Sequence, residues 1–197
     1  ESEQTMIANA NASRRAAIDR LDRAAQRLDA DMPTIEANAD RAGAWLDIDD
    51  RAEKMITIDH RTAADDDTES LVDALQNVLQ TTYIDMRAVK SGRPSEFAEI
   101  AGVAIAGTYR PVNDQLELSI DAGPKRYVEH RKLTEAMSSA TAARGILQQM
   151  RNMIKELPVR ATAAHADRTH IAGRLTELTS QEDRTFTRTD ELAQARY

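Results

Sequence analysis

The chain has 197 residues, 33 acidic side chains against 26 basic ones, a formal net charge of −7 and no cysteine. Disulfides, thiolate zinc sites and thiol nucleophiles are thereby excluded, and the bases lie scattered among acids, without the concentrated positive stripe that nucleic acid binding requires. One Trp, four Tyr and two Phe against 33 alanines point away from a thick aromatic core and toward thin helix-against-helix packing.

The first long segment places Ile18, Leu21, Ala25, Leu28, Met32, Ile35, Ala39, Ala42 and Leu46 at alternating steps of three and four. This is a heptad seam, and it predicts a helix over residues 5–58. Pro33 falls inside it, but the seam keeps its register on both sides, which favours a kink over a turn. The rival is a compact bundle of five shorter helices in which Pro33 and Pro158 are turns.

The polar string from His60 to Ser70 reads as a connection ending in a helix cap at Asp67 or Thr68. A helix over 68–90 follows, with Val72, Leu75, Leu79, Thr82, Met86 and Val89 on one stripe, and it stops at Ser91-Gly92-Arg93-Pro94. Within 97–121 the period changes to two. Val103, Ile105, Gly107 and Tyr109 alternate, Leu116, Leu118 and Ile120 repeat the pattern, and Pro111 to Asp114 supplies turn residues between them. This predicts a two-stranded hairpin, whose apolar face must rest on helices or on another chain.

A second seam runs through Leu133, Ala136, Ala140, Ala143, Leu147, Met150, Ile154 and Leu157. It predicts a helix over 124–195, kinked at Pro158 and weakly anchored beyond Leu178. Laid antiparallel, the two long arms bring Pro33 level with Pro158, span about 80 Å and place both chain ends at one pole. The expected fold is therefore all-α: one domain over 1–197, an elongated antiparallel helical bundle or coiled coil with long kinked helices and a small β-hairpin insertion.

Chemistry is sparse. The arm register brings His60 level with His130, each preceded by an acid (Asp59, Glu129), and this set has the residue types that hold a divalent transition metal. Exposed helix-end histidines are the preferred reading, so neither a metal nor another cofactor is expected. His165 and His170 are five apart and diverge on a helix. Asp65-Asp66-Asp67 lacks the spaced ligands and glycine of a calcium loop. Gly102 and Gly107 form no phosphate-binding loop.

Tyr109, Arg110 and Asn113, beside the hairpin turn, are the candidate partner-binding residues, since Tyr and Arg are enriched at interface hot spots. No apolar run approaches the ~20 residues of a membrane span, and the initial Glu1 suggests a chain processed or cut from something longer, beside a membrane anchor. Two long arms with both ends at one pole resemble, in outline, the extracytoplasmic sensor domains of bacterial receptors.

The function expected is non-enzymatic: a protein-interaction domain, extracytoplasmic and sensory or adaptor in kind. It would bind a protein partner or itself, and no nucleic acid. The alternative is a structural subunit of a filament, virion or secretion assembly completed by neighbouring copies.

Overall fold

The structure, a computed structural model, describes residues 2–89, 95–110, 113–120 and 127–181. In order the elements are α1 (Glu3–Leu46), β1 (Met55–Ile58), β2 (Arg61–Ala64), α2 (Thr68–Val89), β3 (Ser95–Ile100), β4 (Val103–Arg110), β5 (Gln115–Ile120), β6 (Tyr127–Lys132), α3 (Leu133–Ser138) and α4 (Ala140–Ser180). The six strands form one antiparallel sheet in the order β2-β1-β3-β4-β5-β6. The all-α expectation is thus overturned: the fold is mixed, and the predicted hairpin is the middle of a sheet.

The reason lies in burial. A lone pair of strands would leave Ile105, Leu118 and Ile120 wet on one face, yet all three are fully buried. In the sheet they align with Ile56, Ile58, Ile100 and Val103 on the same face. Against it pack Leu71, Leu75 and Leu79 of α2 and Ile146, Met150 and Ile154 of α4. At roughly 1.5–3 kcal/mol for each fully buried aliphatic side chain, a six-stranded face gains far more than a two-stranded one.

The chain divides into two compact units, one of Glu1–Ala30 with Ala164–Tyr197 and one of Asp31–Ala163. The sheet and its covering helices belong to the second. In the first, Asp29 meets Arg168 at 2.6 Å and Arg14 donates to the Gln181 carbonyl. Ascending α1 while descending α4, these pairs make the two helical segments antiparallel. Their seam residues Ile18, Leu21, Ile171 and Leu175 are only half-buried.

Two predicted bounds are corrected. The helix expected over 5–58 ends at Leu46, and Met55–Ile58 is a strand. The helix expected over 124–195 begins only at Leu133, after strand β6, and is interrupted at extended Ser139 before α4. Its predicted stretch beyond 181 lies outside the described residues. The helix expected over 68–90 is α2, and position 90 lies outside the described residues. The hairpin expected within 97–121 is β4 and β5, with β3 beside them; positions 111, 112 and 121 lie outside the described residues. Pro33 and Pro158 both lie inside continuous helices, so neither is a turn between shorter ones.

Candidate protein interface at a sheet edge

Residues 55–64 build a tight hairpin. Asp59 and His60 are its two loop residues, with φ of 44° and 69°, the left-handed pair that matches the twist of flanking strands. Asp tolerates this conformation better than bulkier residues do. The ladder pairs Ile58 with Arg61 and Ile56 with Ala63, and Thr57 and Thr62 join their hydroxyls across it at 2.9 Å.

A two-residue loop makes Ile58 and Arg61 a hydrogen-bonded pair, so in antiparallel alternation Ala63 and Asp65 also bond toward β1. The Asp65 amide indeed donates to the Lys54 carbonyl at 2.7 Å. Thr62 and Ala64 therefore turn their backbone groups away from β1, and among the described residues β2 has no strand on that side. The Ala64 carbonyl accepts from the Asp67 amide at 3.0 Å. Left facing outward are the Thr62 N–H, the Thr62 C=O and the Ala64 N–H.

Beside this edge lies a groove of about 490 Å³, walled by the strands on one side and the first two turns of α2 on the other. Met55, Ala63, Leu71 and Ala74 give it apolar surface, Arg61, Asp67, Ser70 and Asp73 add polar groups, and Thr62 and Ala64 of the edge itself complete the lining. Met55 is 47% exposed, unusual for a large apolar side chain. The Asp67 carboxylate also caps α2, accepting from the Ser70 amide at 3.2 Å.

Both ends of β2 are fixed. The tight turn holds one, and at the other the next residue, Asp65, is buried and clasped by two arginines. Arg151 of α4 places Nε 2.5 Å from Asp65 Oδ1 and donates through Nη2 to the Asp65 carbonyl at 2.7 Å. Arg51 places Nε 2.8 Å from Oδ2 and Nη2 2.9 Å from the same carbonyl. Charge-assisted bonds of this kind are the strong ones, so the edge strand is held in a fixed position.

The residues singled out from sequence are dispersed. Tyr109 lies on the core face of β4 and is only 7% exposed. Arg110, next in the strand, faces the other way and pairs with Glu117 at 2.6 Å. Asn113 is exposed in the connection to β5. Neighbouring Asp114 caps α3, accepting from the Leu133 amide through its carbonyl and from Thr134 through its carboxylate. These three residues do not share one surface.

The His60 and His130 pairing is overturned. His60 is in the β1–β2 turn, with Asp59 3.8 Å away, and His130 is on β6, opposite Glu117. Four strand spacings separate β1 from β6, about 19 Å at ~4.8 Å each, so one ion cannot bridge them. The level pairing followed from the all-helical reading, which the sheet replaces. Among the described residues no group of three or more His, Asp or Glu is placed to hold a metal.

Sequence reasoning missed the β2 edge. The signal was present in MITIDHRTAA, where Ile56 and Ile58 alternate and an Asp opens a two-residue break.

No protein-family model matches this chain, and no curated protein or solved structure does so significantly.

Proposed function

We propose that this chain is a protein-interaction domain that binds by strand addition at β2. The observation that supports it most is the combination at one place of outward backbone groups on Thr62 and Ala64, a rigidly anchored strand and an adjoining groove of about 490 Å³. In strand addition, main-chain hydrogen bonds supply affinity and pockets for alternate side chains supply selectivity. Both requirements are met by residues 61–64 and the facing wall of α2.

A photo-crosslinking side chain placed at Thr62 in the native cell is expected to give one discrete adduct, absent when it is placed at exposed Asn113. Equal labelling from both positions, or none from either, contradicts the proposal. Light scattering over a range of concentrations identifies the self-assembling alternative, since growing oligomers would make the partner a second copy.

The extracytoplasmic sensory setting is a second reading. It is favoured by the antiparallel course of the Asp29 and Arg168 segments, which lets a receptor chain leave and re-enter a membrane on one side. No helix among the described residues is long and apolar enough to cross a membrane, so the anchor in this reading is a flanking segment. A topology reporter fused to the full-length gene product tests it: a cytoplasmic signal rejects this setting and leaves the edge proposal standing.

A further inference from the structure

We infer, resting on the reading of β2 as the docking edge, that the occupant is an extended segment of a partner protein carrying basic side chains at alternating positions. Strand addition satisfies the Thr62 and Ala64 backbone groups with any sequence, so selectivity must come from what the alternate side chains meet. One face of an added strand would be turned toward α2, where Asp67 and Asp73 line the groove and Asp66 and Glu69 stand exposed close by in the chain.

Asp66, Glu69 and Asp73 have no ion-pair partner among the described residues. The groove lining itself sets two carboxylates, Asp67 and Asp73, against one guanidinium, Arg61. An acidic strand would bring like charges together beside a partly apolar surface, which is costly, whereas a basic one relieves them. The apolar lining supplied by Met55, Ala63 and Ala74 suits aliphatic stems of Arg or Lys, which cover apolar surface while the charged head reaches the carboxylates.

The test uses the whole chain and two blocked eight-residue peptides, one alternating Arg with Val and one alternating Glu with Val, titrated by fluorescence anisotropy at two salt concentrations. The Arg peptide is expected to bind at least tenfold more tightly than the Glu peptide, and to weaken as salt rises. Asp73→Lys, at an exposed helical position outside the cap, should weaken Arg-peptide binding about tenfold with the fold intact by circular dichroism. Thr62→Pro, which removes an outward N–H from the edge, should abolish binding of the Arg peptide.

Equal or tighter binding of the Glu peptide that Thr62→Pro abolishes overturns the basic selectivity and leaves the docking edge standing. Arg-peptide binding unchanged by both substitutions is adventitious charge attraction and overturns the inference. If neither peptide binds, docking at the edge fails as well. Should Thr62→Pro not fold, Asp73→Lys and Asp73→Asn decide the selectivity on their own.

Discussion

Arg151 and Asp65 are 86 residues apart in the chain and meet at 2.5 Å in a buried ion pair. The contact ties the first third of α4 to the junction of β2 and α2, and Arg51 adds the connection after α1. Breaking a buried pair leaves an uncompensated charge, at about 3–5 kcal/mol. Asp65→Ala is expected to lose that much in urea denaturation. Arg51→Ala should cost far less, because its side chain is 56% exposed and water can replace its contacts. Equal losses for the two variants would show that Arg151 is not the dominant partner.

Gly107 is the second pressure point. A Cβ there would lie 3.0 Å from Phe97 Cε1 and 3.2 Å from Leu116 Cδ1, with both side chains buried. Gly107→Ala should destabilise the domain by about 1–3 kcal/mol through overpacking. Combining it with Phe97→Leu should cost less than the sum of the single changes, because the ring is what the methyl group meets. Additive losses in thermal denaturation would place the strain elsewhere.

The prolines inside α1 and α4 make an opposite prediction. Each removes one helical hydrogen bond without ending its helix, so Pro33→Ala and Pro158→Ala should leave helix content the same or higher in far-ultraviolet circular dichroism and should not lower the melting temperature. Unfolding of Pro33→Ala would show that the proline serves as a necessary break.

Because His60 is in the turn after β1 and His130 is on β6, with those strands about 19 Å apart, adding zinc should shift the melting temperature of His60→Ala and of the parent chain equally. A stabilisation seen only in the parent would restore the paired-histidine site.

What was legible in the sequence followed the strength of local patterning. The stripe Val72, Leu75, Leu79 located α2 almost to the residue, and the heptad register kept on both sides of Pro33 favoured the continuous helix that is found there. Val103 to Ile120 displayed its alternation because β4 and β5 pair without a register shift from Ile105–Ile120 to Arg110–Gln115. The other strands were disguised. A bulge between Glu96 and Ala98 buries both Phe97 and Ala98, so β3 shows helix-like spacing in place of period two. Strand β1 has only four residues, too short a run for its alternation to stand out after the seam that ends at Leu46. The docking edge was less legible still, since Thr62 and Ala64 contribute through backbone groups that no side-chain pattern reports.

Amide hydrogen exchange of Thr62 and Ala64, with and without the alternating Arg–Val peptide, reads docking at β2 at the backbone groups themselves. In the free chain both amides should exchange rapidly while Ala63, which bonds toward β1, is protected. In the complex Thr62 and Ala64 should slow at least tenfold. Binding that leaves these two amides unchanged and protects another surface would contradict docking at β2.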